Sequence, residues 1–242
     1  MISTQNNARL ENELIIENYR QLNFPTKTSR LTGMYFFEDE ETAELACSWG
    51  GHFSLNNLSR LDLHPTTPFS RHDSNWITYA ELDQHGRIEN DTWINKYWSG
   101  DCYPGKKPVW EIIMHGRAVV RGHRVRQLAY NKISVEFNNC VSLLEISRVA
   151  ANLGSDLGNC CAWAIRQNDD LIKLSYFVDM RDAENEEFLN KVRQDKSPRN
   201  HKDLAVGGDQ FGVPHFGIYN CEFSVRNGFS NNFLSSVHLN LT

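Results

Sequence analysis

Apolar residues recur at Leu10, Leu14, Ile15, Tyr19 and Leu22 with polar residues between them. That spacing predicts an amphipathic helix over residues 8–22, laid on the body of the protein. Pro25 ends it, and FPTKTS reads as a loop. RLTGMYFF, with β-forming aromatics at its end, reads as a strand. Asp39 is a natural helix N-cap, with Glu40 and Glu41 where a helix dipole favours negative charge; Ala43, Ala46 and Cys47 then form a stripe of small side chains. Residues 52–75 are polar, hold Pro65 and Pro68, and predict a long loop. WITYAEL alternates like a strand, DQHG makes a turn, and TWINKYW predicts a short helix with Trp93 and Trp98 on nearby faces. SGDCYPGKK is a second loop, and VWEIIM, a His115-Gly116 turn and RAVV predict a β-hairpin. LAYNKISVEF reads as a further strand.

Beyond residue 140 the pattern predicts a helix over VSLLEISRVAANLG, a strand at LIKLSYFVDM and a helix at AENEEFLNKVRQ, whose acids precede its bases as the dipole prefers. SPRNHKDLAVGGDQFGVP reads as loop and HFGIYNCEFSV as a last strand. There is no repeat and no low-complexity tract. The fold class is α+β: a mixed, mainly antiparallel unit over residues 1–140 and a C-terminal α/β extension over residues 141–242 packed on it.

Composition narrows the function classes. Net charge is −5 with acids and bases interspersed, which gives no electrostatic reason to expect nucleic acid as a partner. The densest basic run, RGHRVR, reads as a solvated strand end. No run of apolar residues is long enough for a membrane helix, and the polar, acidic start lacks the pattern of a secretory signal, so the chain is expected in the cytoplasm or exported into a host cell by another route. The six cysteines fit neither a zinc site nor a disulfide framework and read as reduced, mostly buried thiols. Nine scattered histidines show no ligand spacing, so no metal is expected.

Glu111 is the most informative residue. On VWEIIM, Val109, Glu111 and Ile113 share one face while Trp110, Ile112 and Met114 share the other, so the strand is central and its acid is kept from water. A buried carboxylate is costly unless it is paired or used. Two readings stand side by side: a structural ion pair with a nearby arginine, or a catalytic acid.

The stretch GMYFFEDEETAELAC resembles the strand-then-helix element of ADP-ribosyltransferases. NFPTKTSRLTGMYFFEDEETAELA, KYWSG and PVWEIIMHGRAVV together are similar to a little-characterised bacterial family related to those enzymes, over roughly residues 17–121. The resemblance implies split antiparallel sheets with flanking helices holding NAD as substrate. It implies that Arg30 anchors the dinucleotide, with Ser29, Thr32 and Arg71 beside it, that Tyr35 stands at nicotinamide, and that Glu111 is the catalytic carboxylate. It further implies that Trp98 and the SRHDSNW loop cover the cleft. The family's paired acid is missing, since position 109 is Val, which implies an acceptor other than arginine or no transfer at all. The activity so implied is NAD-dependent mono-ADP-ribosyl transfer of bacterial-effector type to a macromolecule, a host protein such as ubiquitin among the acceptors, with residues 141–242 helping to recognise it. The alternatives are an NAD glycohydrolase toxin and a non-catalytic binding protein that keeps the fold.

Overall fold

A computed structural model of the chain describes residues 7–49, 54–116, 118–168, 171–196 and 221–224. Contacts divide it into two units, the first running to Val125 and resuming at Ser224, the second covering Arg126–Phe223. The change of unit expected near residue 140 therefore falls within the second.

The first unit begins with α1 (Asn7–Asn23), as the apolar spacing predicts, but the helix turns a different face inward. Leu10 and Ile16 are buried together with Glu11, Glu17 and Arg20, while Leu22 is 69% exposed. The inward acids each meet a cation: Glu11 meets Arg87, Glu13 meets Arg30 and Glu17 meets Arg20. A helix seated through ion pairs need not follow its hydrophobic period, which locates the helix but not its face.

Five strands follow: β1 (Met34–Phe37), β2 (Leu61–Leu63), β3 (Phe69–Asp73), β4 (Trp110–Met114) and β5 (Ala118–Val120). They form two small antiparallel sheets, one ordered β1-β4-β3 and the other pairing β2 with β5. β4 is central, as its two apolar faces require. Between the strands lie α2 (Glu40–Cys47), α3 (Asn75–Thr78) and α4 (Trp93–Ser99). Asp39 caps α2, its Oδ1 accepting from the Thr42 N–H at 2.7 Å. α4 is followed by Gly100 in the left-handed conformation, φ 83°, which ends the helix. Ile16, Trp93, Ile94, Tyr97 and Trp98 form the core of this unit.

Four expectations fail here for identifiable reasons. The strand proper begins at Met34, and Arg30 to Gly33 form the turn before it. The long loop over 52–75 contains β2 and β3; β3 reads as polar because Ser70, His72 and Asp73 are buried through hydrogen bonds rather than through apolar surface. WITYAEL is not a strand: the Ser74 carbonyl accepts from the Ile77 and Thr78 N–H groups and starts α3. The VWEIIM–RAVV hairpin does not form. β5 leaves β4 after Gly116, whose φ of 137° is glycine-specific, and pairs with β2 in the register Leu61↔Val120.

α5 (His123–Glu136) leads into the second unit and replaces the strand expected at LAYNKISVEF. Val125, Leu128 and Ala129 are spaced for a helix, and the Gln127–Asn131 and Lys132–Glu136 pairs support one; the β-branched residues of the segment carried the wrong weight. RGHRVR begins at the exposed end of β5, where Arg121 pairs with Asp62, and runs on into the start of this helix. α6 (Val141–Asn152) and α7 (Glu186–Gln194) fall where the periodicity places them. Ile146, Val149, Ala150, Leu157, Phe188, Leu189 and Val192 make this unit's core. β6 (Cys160–Arg166) and β7 (Leu171–Val178) form an antiparallel ribbon, with β8 (Cys221–Ser224) next to β7. The loop expected over 197–214 lies outside the described residues. Of the free cysteines, Cys140 is buried, Cys47 is half-buried, and Cys102 and Cys160 are exposed, so burial is not their common state.

Gly33 has no room for a side chain: a Cβ there would stand 2.4 Å from Ile113 Cγ2 and 2.6 Å from the Ser29 carbonyl oxygen. Gly33→Ala should therefore lower stability by about 1–3 kcal/mol, the cost of overpacking against a fixed strand. The check is the chemical-denaturation midpoint at unchanged m-value. A midpoint equal to wild type would mean that the turn shifts freely away from β4.

Candidate functional site

Three residues singled out in the sequence, Arg30, Tyr35 and Glu111, meet in the first unit. The turn before β1 carries Arg30 inward, where Nη1 donates to Glu111 Oε1 at 2.7 Å and to the Tyr97 hydroxyl at 2.8 Å. Nε and Nη2 donate to the two oxygens of Glu13 at 2.9 and 3.0 Å, a bidentate fork that lysine could not reproduce. The Tyr97 hydroxyl in turn donates to Glu111 Oε1 at 2.5 Å. The Tyr35 ring lies 5.0 Å from the guanidinium carbon and its hydroxyl donates to the Arg30 carbonyl, so Tyr35 closes the cluster on one side while remaining 43% exposed. The Arg30 side chain is 8% exposed and that of Glu111 12%.

The charges do not balance within this group, since Glu13 and Glu111 share one guanidinium. Burial pushes the Glu111 carboxyl above its ordinary range, with Arg30 and the Tyr97 hydrogen bond pulling the other way and Glu13 adding to the rise. Burial works against the Arg30 charge too, but Tyr97, Glu111 and Glu13 outweigh it and raise the guanidinium well above its usual value. Burial also pushes the Tyr97 phenol far up, so it stays protonated and serves as a donor. The arrangement is a largely buried cluster in which two carboxylates share one fixed cation.

Beneath the cluster, His72 sits opposite Glu111 in the β3–β4 register, fully buried. It stacks on Tyr97 at 4.7 Å and meets Trp98 edge-on at 4.9 Å. Its Nδ1 is 2.8 Å from the Tyr97 carbonyl, which can only accept, so Nδ1 carries the proton; Nε2 then accepts from the Ser70 hydroxyl at 2.8 Å. Burial lowers its pKa to about 4, the Tyr97 hydrogen bond opposing the shift. Asp73, next along β3, accepts from the backbone N–H groups of Asn75, Tyr103 and Val109 and so ties α3 and the following loop to β4.

The other sequence candidates are placed variously. Ser29 lies against the cluster's edge, donating to Glu17 Oε2 at 2.9 Å. Thr32 is half-buried in the same turn. Arg71 points away from Glu111, being on the opposite face of the sheet; it makes a bidentate pair with Glu38 and lies 3.4 Å from the Trp110 ring centroid. Trp98 covers no cleft. It is fully buried, with its indole N–H donating to the Ile16 carbonyl at 3.1 Å. Sequence reading missed Glu13, Tyr97 and His72. The Trp93–Tyr97 spacing of one helical turn was a signal for Tyr97, and nothing local announced the other two. Among the described residues no group of His, Cys, Asp and Glu could hold a metal, and no helix is long and apolar enough to cross a membrane.

His72 makes stability depend on pH. In the unfolded chain a histidine binds its proton near pH 6.5, whereas the folded site resists until about pH 4. Between these values unfolding takes up a proton, so stability is fully present above about pH 6.5 and is lost as pH falls toward 4, by on the order of 3 kcal/mol. His72→Gln should be less stable at pH 7 yet lose less between pH 6.5 and 4, and the difference between the two denaturation series isolates the histidine. Parallel series would show that His72 is not held neutral.

Comparison of the chain with protein-family models, with curated proteins and with solved structures gives no match.

Proposed function

We propose that the protein is an NAD-dependent mono-ADP-ribosyltransferase acting on a macromolecule, with a protein as the acceptor. The observation that carries this reading is the meeting of Arg30, Tyr35 and Glu111 in one water-poor cluster that holds two carboxylates to one guanidinium. In such a reaction the bond from the ribose carbon to nicotinamide breaks, nicotinamide leaves with the electron pair, and an acceptor nucleophile bonds to the ribose carbon as it loses its proton. Positive charge grows on the ribose in between. A fixed carboxylate of low solvation stabilises that charge far better than one in water, and Glu111, with Glu13 behind it, supplies the excess negative charge. Arg30 neutralises phosphate by exchanging its Glu13 fork for a phosphate one, and Tyr35, the exposed member, moves to lie on nicotinamide. With water as the nucleophile the same site is an NAD glycohydrolase.

A second reading has its own support. The Nε and Nη1 hydrogens of Arg30 and one on Nη2 are already satisfied within the protein, and Trp98 is core rather than cover. On those grounds the cluster is a structural tie in a binding protein without chemistry.

Glu111→Gln separates the two. The amide oxygen of Gln still accepts from Tyr97 and Arg30, and Arg30 keeps Glu13, so the variant should stay folded with a melting temperature near wild type. On the enzyme reading, turnover of labelled NAD in the presence of cell lysate falls ~100-fold or more. Wild-type protein should give an NAD-dependent mass increase of one ADP-ribose on a lysate protein; free nicotinamide without an adduct assigns the glycohydrolase. No consumption of NAD ends the enzyme reading, and equal turnover by the Gln variant removes Glu111 from it as the catalytic carboxylate. Arg30→Ala, in contrast, leaves two buried carboxylates uncompensated and should cost roughly 3–5 kcal/mol of stability under either reading.

A further inference from the structure

A cavity in the first unit shares none of its lining residues with the Arg30 cluster. Trp76, Tyr79, Trp93 and Tyr103, together with Glu81, line an open cavity of about 160 Å³. A cavity of about 150 Å³ takes a benzene molecule, so this one admits a single compact group. The rings do not fill it by stacking on one another. Tyr103 meets Trp76 at 4.9 Å with the planes 70° apart and Tyr79 at 5.5 Å with the planes 40° apart, so the rings stand as walls at angles. The Trp76 indole N–H is fixed by the Asp101 carbonyl at 2.8 Å, which holds that wall in place.

The chemistry of the lining selects a cation. Glu81 is exposed and makes no ion pair among the described residues, and no Lys, Arg or His lines the cavity. Tyr79 already shows that its ring accepts positive charge, since the Lys106 ammonium lies 4.1 Å from the ring centroid while Lys106 itself is not part of the lining. Trp93 adds a different observation. Its Nε1 is the one buried side-chain nitrogen or oxygen among the described residues that has no hydrogen-bond partner. Trp93 also brings an indole to the lining, the best cation acceptor of the aromatic side chains.

The lining also selects against a bare ammonium. Such a group is strongly hydrated and brings three N–H donors, while Asn90, a further lining residue, has its side-chain oxygen taken by the Thr92 N–H and hydroxyl. Methyl groups on the nitrogen remove the donors and present apolar surface to the rings without removing the charge. The geometry points to a binding site for a trimethylammonium head group, either in a free choline-like molecule or on a methylated lysine side chain, with Trp76, Tyr79, Trp93 and Tyr103 as its walls and Glu81 as its counter-charge.

The test is a titration of the full chain followed by tryptophan fluorescence and calorimetry. Its probes are choline, the neutral isostere 3,3-dimethylbutan-1-ol, and a short peptide carrying either trimethyllysine or unmodified lysine. Choline or the methylated peptide should bind, with the isostere and the unmodified peptide weaker by ~10-fold or more, since a desolvated cation–π contact is worth a factor of that size. Tyr79→Ala should weaken binding ~10-fold and Glu81→Gln by ~3-fold or more; both residues are exposed, and an unchanged melting temperature confirms that the fold is intact. Tighter binding of the methylated peptide than of choline assigns the head group to a side chain, and the reverse assigns a free molecule. The proposal is overturned if neither cationic probe binds, if the neutral isostere binds as well as choline, or if both variants bind as wild type does.

Discussion

The first unit depends on a guanidinium kept out of water. Arg30 enters the protein from a turn, not from a strand or helix, and is held there by Glu13 of α1, Tyr97 of α4 and Glu111 of β4. Three elements distant in sequence are thereby joined to one another through a single side chain. Coulomb attraction in such a setting is strong, yet it does little more than offset the loss of hydration of the charges it joins. The cluster adds specificity of arrangement: this placement of α1 brings both oxygens of Glu13 to the Arg30 fork. That is why α1 buries acids on the face that meets the body and leaves Leu22 in solvent.

The same constraint organises the sheet. β4 has to be central because Glu111 is at its middle and needs partners rather than water, and β1 and β3 flank it. On β3 the buried polar groups are each fully employed, His72 between a carbonyl and a hydroxyl, Asp73 on backbone N–H groups. Satisfied in this way, polar residues serve as core. The aromatic residues of α4 then cover them, Tyr97 lending its ring to His72 and its hydroxyl to Glu111. A site rich in polarised groups and poor in water results, whether or not catalysis uses it, and its excess carboxylate is the property that a cationic transition state would draw on.

Elements governed by local chemistry were legible. The capped helix α2 follows from Asp39 and the acids after it, and α6 and α7 follow from their spacing of apolar residues. β4 and the burial of Glu111 were readable from alternation alone, and the partner named for a structural Glu111, an arginine, is the one found. β3 was not readable, because a strand whose inward residues are Ser70 and His72 carries no hydrophobic alternation. For α5 the reason is the opposite: none of its residues is fully buried, so propensity spoke where packing was silent.

By itself the sequence determined where most helices begin and end, that β4 is the central strand of its sheet, and that Glu111 needs a partner or a task. These follow from interactions within a few residues: capping, periodicity and the cost of an isolated charge. Tertiary structure alone decided that β5 crosses to β2 instead of folding back on β4, and that Glu13 and Tyr97 join Arg30 and Glu111. It also decided that Trp98 is core and that Trp76, Tyr79, Trp93 and Tyr103 wall a cavity. Each of these is a choice among partners far apart in the chain. Such choices are made by the energy of the whole packed arrangement, and no short stretch of sequence contains it.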